Sequence, residues 1–403
     1  MRIIFLMLVF LSYSFEGLAQ KILVSGKVTD KETGESITFA SIGIKGKSQS
    51  TISNLQGEFD FHIPAEFRND LLVINMLGYK TYSAPVWTLL DIKPLNIELE
   101  KSPVVLDEVV ISDSLRGGDI LQIALSRIEQ NYPMTPHLMY GFYRDLKKVG
   151  GTYISLLEAA VKIYDENYEE PRNKNKLRER VALQEVRRSL GYASRFTNYF
   201  DQDNLLEVLL LHNSIRYRHF PEDQSFFDEI SRERDSYYND EEIYVLSHHG
   251  EYNLTVHVEK STYAIIHIEY EERVDDKLHK KRGMESKLVS SKRVNHFKKF
   301  NGKYYINYLS LDSKVNWYDI KTKELKFETE LNQSLLINQV LPDAIGRISS
   351  SEKMKPYGLQ YQDPPYNKEF WDNYNMIKES PLDRKIIEDL EKQGPLDKQF
   401  KDN

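Results

Sequence analysis

The chain has 403 residues, enough for two or three domains with separate cores. Its 54 basic and 61 acidic residues leave a net charge of −7, which carries neither a nucleic-acid nor an anionic-membrane signature. Cysteine is absent, which excludes disulfides, thiolate metal sites and cysteine nucleophiles, while 26 Tyr and 18 Phe suit sheets better than helical bundles.

Residues 1–19, "MRIIFLMLVFLSYSFEGLA", have the order of a secretory signal. Arg2 supplies the positive start, Ile3–Leu11 is an apolar run too short to span a bilayer, and Gly17 and Ala19 are the small residues before a cut ahead of Gln20. With no Cys to lipidate, the mature chain is expected in the periplasm or at the periplasmic face of the outer membrane, with no transmembrane segment after cleavage.

Residues 20–103 alternate apolar and polar with period two. Val24 and Val28 share a face, "DKETGE" (Asp30–Glu35) is a turn, and Phe59, Phe61 and Ile63 point one way. Gly57 stands where a tight turn needs positive φ, a structural role and not a phosphate cradle. Roughly seven short strands fit a small antiparallel sandwich. The order "G.V.D..TGE", "A.I.I.G", "N..GEF.F" and "LGY" resembles the carboxypeptidase-regulatory-like domain, a transthyretin-like sandwich of exported Gram-negative proteins. The resemblance implies a non-catalytic scaffold or docking role.

Residues 104–116 form a linker or edge strand. "VVLDEVVIS" within it, with Asp107, Glu108, Val109 and Val110, resembles the segment that joins such a sandwich to the plug of outer-membrane transporters energised through TonB. One reading is a last strand at the sandwich edge; the other is a peptide that adds a strand to a periplasmic partner. Such a transporter needs about 22 strands of roughly 9–11 residues besides loops and plug. The roughly 290 residues after Asp113 are too few, and many are charged at both alternating positions.

Residues 117–403 predict an α+β domain with a curved antiparallel sheet, so the fold class is mainly β, α+β. "GGDILQIALSRIEQN" places Ile120, Ile123, Ala124 and Ile128 on a helical stripe with Asp119 as N-cap. A hairpin around Gly150–Gly151 follows, with helix as an alternative for "SLLEAAVKI". A three-residue loop centred on Gly151 would bring Arg144 opposite Glu158 on a largely apolar face. The charged stretch 172–190 predicts a solvated surface helix. From 242 onward the alternation returns, with Leu254, Val256 and Val258 inward. In the tail, Phe370, Trp371 and Tyr374 would dock and Leu382, Ile386, Ile387 and Leu390 would form a final amphipathic helix. This region resembles the C-terminal part of exported proteins carrying the same sandwich, and the half-barrel of periplasmic lipoprotein carriers, which implies a sheet wrapped around a helix over an apolar cavity.

His219 and Glu222 have the His-x-x-Glu spacing of zinc peptidases, with a third ligand to be sought among His248, His249, His257, His267 and His296. Pro221 lies inside the pair, and the flanks do not resemble a carboxypeptidase motif. There is no phosphate loop, Gly-x-Ser-x-Gly elbow or His-Glu-x-x-His. The sequence therefore predicts a non-enzymatic envelope protein without metal or cofactor, binding an envelope protein or an apolar, lipid-like ligand and no nucleic acid. The alternatives are a metal-dependent hydrolase built on His219 and Glu222 and an accessory partner of a TonB-dependent transport system.

Overall fold

The computed structural model describes residues 21–92, 94–102, 115–190, 196, 199–200, 204–272, 278–281, 283–344, 346–354, 358–362, 365–378 and 381–401. The signal segment and the linker residues Asp107, Glu108, Val109 and Val110 lie outside them.

Seven strands make the N-terminal sandwich: β1 (Lys21–Asp30), β2 (Ser41–Ile44), β3 (Ser50–Ile52), β4 (Glu58–Pro64), β5 (Leu71–Asn75), β6 (Tyr82–Pro85) and β7 (Leu95–Leu99). They form two sheets, ordered β4-β1-β7 and β3-β2-β5-β6. The sandwich is not wholly antiparallel, because β7 runs parallel to β1, with Val28 opposite Ile97. Val24, Phe59 and Phe61 of one sheet bury against Ile42, Leu72 and Ile74 of the other. The Asn54 carboxamide oxygen accepts the N–H groups of Gln56 (2.9 Å) and Glu58 (2.8 Å), closing the turn in which Gly57 takes φ 74°.

The second region is built on one 12-stranded sheet. Its strands are β8 (His137–Val149), β9 (Thr152–Asp165), β10 (Arg180–Arg188), β11 (Ser231–Arg232), β12 (Ser236–Tyr238), β13 (Glu241–His249), β14 (Tyr252–Glu259), β15 (Ile265–Glu272), β16 (His279–Lys281), β17 (Met284–Phe300), β18 (Lys303–Asp319) and β19 (Leu325–Pro342). The main path runs β10-β9-β8-β19-β18-β17-β15-β14-β13-β11. Helices α1 (Gly117–Ser126), α2 (Ile128–Asn131), α3 (Leu205–Leu211), α4 (Ser214–Tyr217) and α5 (Gln224–Asp228) cover one face. A single apolar cluster joins Val181 on β10 and Ile243 on β13, near opposite ends of the path, to Ile120, Leu209 and Phe227 on these helices. The sheet is therefore bent around them.

On the outer face, Ile52 of the sandwich packs with Phe142, Tyr308 and Trp371. Trp371 belongs to α6 (Lys368–Asp372), and beside it α7 (Pro381–Leu390) and α8 (Leu396–Lys401) cover Leu156 with Ile386, Leu390 and Phe400. The amphipathic helix is thus not the last element, since α8 follows it. Strand β9 is buried on both faces along most of its length, which is why its apolar run also reads as a helix.

Three further expectations change. Residues 180–188 form β10, not a surface helix, because Val181, Ala182 and Val186 are buried and pair with β9. Asp119 occupies the third helical position, where its carboxylate accepts the Arg116 N–H (3.2 Å), and Leu121 replaces Ile123 on the buried stripe. The β8–β9 turn has two residues, Gly150 and Gly151, both at positive φ, with Val149 opposite Thr152. A bulge at Lys147/Lys148 then shifts the register by one residue and brings Arg144 opposite Glu158.

Candidate functional site

Three neighbouring strands carry one buried charge cluster on the outer face. Arg144 on β8 and Arg187 on β10 both lie across from Glu158 on β9. Arg144 Nη2 is 2.6 Å from Glu158 Oε1, and Arg187 Nη2 is 2.6 Å from Oε2. Glu158 is 1% exposed. Burial alone would raise its carboxyl, but Arg187 and Arg144 outweigh that and hold it below the usual carboxylate range. The Arg187 guanidinium also lies 4.6 Å over the Trp371 ring and 5.2 Å from Phe400.

This cluster is the floor of a cleft of about 280 Å³. Leu146 and Leu156 of the sheet form one wall, and Ile386, Leu396 and Phe400 of the C-terminal helices form the other. Polar contacts pin the helices to the sheet: Asp389 accepts the Tyr153 N–H (3.1 Å), Lys385 donates to the Gly151 carbonyl (3.1 Å), and Gln399 accepts the Leu190 N–H (2.8 Å).

His219 and Glu222 converge on a lysine. His219 Nε2 is 3.2 Å from the Lys174 carbonyl and its ring stacks on Tyr217, while Lys174 Nζ donates to Glu222 (3.0 Å) at the surface. His248 instead bonds Glu229 (3.0 Å). Among the described residues, no three His, Asp or Glu side chains gather in a way that could hold a metal ion.

Two buried clusters carry no motif in the sequence. Asp165 accepts two hydrogen bonds from Arg216 (2.7 and 3.0 Å), and Tyr217 donates to the adjacent Glu179. Burial, then the Asp165 charge, push the Glu179 carboxyl up to about 7 against the pull of Arg216. On the outer face His257, His267 and His296 stand side by side on β14, β15 and β17, with ring centroids 5.3 and 5.6 Å apart. The first set is assembled by packing helix α4 against the end of β9 and the start of β10, and the second by pairing of β14, β15 and β17, so local spacing does not reveal them.

Gly57 is required by its surroundings as well as its φ, since a Cβ there would lie 2.3 Å from the Val28 carbonyl oxygen. That turn belongs to the stretch that matches a known family: residues 24–111 fit the family of the CarboxypepD_reg-like domain. The N-terminal sandwich is a CarboxypepD_reg-like domain. The TonB-dependent receptor SusC of Bacteroides thetaiotaomicron is 28% identical over 110 residues, covering 27% of this chain and 10% of the receptor. The chain thus spans a small fraction of that receptor's length.

Among solved structures, lipovitellin aligns over 58% of this chain and 28% of its own, at 9% identity and a TM-score of 0.25. A membrane-associated protein of unknown function from Bacteroides fragilis aligns over 79% of this chain and 98% of its own, at 11% identity and a TM-score of 0.16. These alignments are too loose to say anything of the region beyond the CarboxypepD_reg-like domain.

Proposed function

We propose that this is a non-enzymatic binding protein of the cell envelope, exported to the periplasm or to the periplasmic face of the outer membrane. Its cleft between the sheet and the C-terminal helices takes an apolar segment of an envelope protein or a lipid-like chain. The observation that carries this reading is the cleft itself, about 280 Å³, with walls that are apolar except for Glu391 over a fixed Arg–Glu–Arg floor. The floor side chains are bonded to one another, an arrangement that suits holding a ligand better than exchanging protons with it. The CarboxypepD_reg-like domain and the similarity to a TonB-dependent receptor support the envelope setting.

The test uses the neutral apolar dye N-phenyl-1-naphthylamine with the full mature chain. Saturable fluorescence enhancement is expected, and Leu396→Glu, which places a charge in the wall, should abolish it without lowering Tm. Envelope extracts passed over both proteins, with mass spectrometry of lipids and proteins, then identify the natural ligand. No saturable dye binding, together with identical retention by wild type and Leu396→Glu, rejects the reading. The similarity to SusC favours a second role, as an accessory partner of a TonB-dependent transport system. Cross-linking in native envelopes that recovers no such receptor would remove it.

A further inference from the structure

A second cavity lies far from that cleft along the sheet, where the CarboxypepD_reg-like domain docks on the outer face. The two parts are locked together there. Asn307 Nδ2 donates to Ser50 Oγ (3.2 Å), the Gly78 N–H donates to the Tyr237 carbonyl (2.8 Å), and Phe39 stacks on Tyr308 at 5.6 Å. Into this junction β17 sends Lys298. Its Nζ is shut off from solvent and, among the described residues, has no hydrogen-bond partner. It reaches so close to β2 that a Cβ on Gly43 would lie 2.4 Å from it. The glycine leaves the space that the ammonium fills.

Lys298 lines two spaces. One is a void of about 10 Å³ shared with Ser50 and Asn307, and the other is a cavity of about 430 Å³ between the sandwich and the sheet. The larger cavity is also lined by Lys45, Lys47 and Lys299, against the carboxylates Asp240 and Glu259. Those carboxylates are already engaged. Asp240 accepts the Thr81 N–H (3.2 Å), and Glu259 accepts from Tyr304, Thr262 and Lys299. Neither is a bonded partner of Lys298. Across the cavity, on the sandwich side, the Thr81 hydroxyl is also buried without a hydrogen-bond partner among the described residues and is free to donate to a ligand. An ammonium buried without a counter-charge is costly unless something binds it. Burial also pushes its pKa down to about 8, so at neutral pH it remains mostly charged.

We infer that this junction is a binding site for a small ligand with an oxyanion head, a carboxylate or a phosphate group, which Lys298 receives in the interior while Lys45 and Lys47 flank the mouth. The ligand touches both domains and so fixes the CarboxypepD_reg-like domain on the sheet. This inference does not depend on the apolar cleft.

The test is thermal unfolding of the full mature chain in chloride, with inorganic phosphate or acetate exchanged for chloride at constant ionic strength. At several-fold excess over Kd, one of the two anions should raise the wild-type Tm by about 2–4 °C. Which one does so identifies the head group. Lys298→Met, which keeps the stem and removes the charge, should show no such rise. If neither anion shifts the wild type, a water in the small void suffices for Nζ and the inference fails. It fails equally if Lys298→Met responds as the wild type does. Should Lys298→Met not fold, Lys45→Ser with Lys47→Ser at the mouth decides: a smaller anion-induced rise in Tm than the wild type's supports the site, and an equal rise overturns it.

Discussion

Arg144 and Glu158 face one another across the β8–β9 ladder with Nη2 and Oε1 2.6 Å apart, one guanidinium of the two that Glu158 accepts. The arrangement makes the two ends of the pair unequal. Glu158→Ala strands Arg144 and Arg187 together under the C-terminal helices and should cost about 3–5 kcal/mol. Arg144→Ala leaves Glu158 with Arg187 and should cost less, about 1–3 kcal/mol. Urea unfolding of both single variants and the double variant gives the coupling. A coupling within error of zero would mean that the pair is not held in solution.

The pairing of Arg144 with Glu158 was legible in the sequence for an incomplete reason. Two charges on otherwise apolar strands call for each other, but the Gly150–Gly151 turn alone would have set Arg144 against Leu157. The bulge at Lys147/Lys148 corrects the register, and nothing local in "DLKKVGGTYIS" announces it. Arg187 was hidden differently. It sits in a run of charges whose composition favours helix, and only burial against β9 makes "RVALQEVRR" a strand. The sandwich was easier to read, because β4 and β7 each have one buried face and so alternate cleanly. Glu179 meets Tyr217 by helix packing, Lys298 meets Gly43 by docking of the sandwich, and the three histidines meet by strand order, none of which periodicity encodes.

Gly57 gives a test confined to the sandwich. Gly57→Ala adds a Cβ at φ 74° and 2.3 Å from the Val28 carbonyl oxygen, whose own residue donates its N–H to the Gly57 carbonyl (2.8 Å). The substitution should destabilise the CarboxypepD_reg-like domain by at least about 2 kcal/mol. An unchanged urea midpoint would show that the turn rearranges freely.

Glu179 predicts a loss of stability as pH rises toward neutrality. Its carboxyl titrates near 7 in the folded chain, against an ordinary value of 4.5. Between those values the folded state holds a proton that the unfolded chain has released. Its contribution is therefore complete below about 4.5 and is lost as pH rises through 7. Between pH 4.5 and 7 the Tm of the wild type should therefore fall relative to that of Glu179→Gln, which is neutral throughout, and above about 7.5 the difference should grow no further. Parallel Tm curves for the two proteins across that window would rule this out.

The histidines act in the opposite direction. Burial, then the charge of His267, push His257 down to about 3, with Glu269 opposing. Burial, then His267, His257 and Lys298, push His296 down to about 3, while its Nε2 lies 3.0 Å from the Tyr238 hydroxyl. In the unfolded chain both titrate near 6.5. Below that pH the unfolded chain takes up two protons that the folded protein refuses, so stability falls as pH drops from 6.5 toward 3 and is flat above. Carboxylates add to acid unfolding in every variant, so the informative quantity is a difference of slopes. His257→Gln with His296→Gln removes both protons from the balance while keeping polar side chains beside His267 and Tyr238. The unfolding free energy of this double variant, followed by urea titration from pH 7 to 4.5, should decline less steeply than that of the wild type. Equal slopes would mean that the two imidazoles charge freely in the folded protein, and that the outer face beneath the sandwich is wetter than their burial implies.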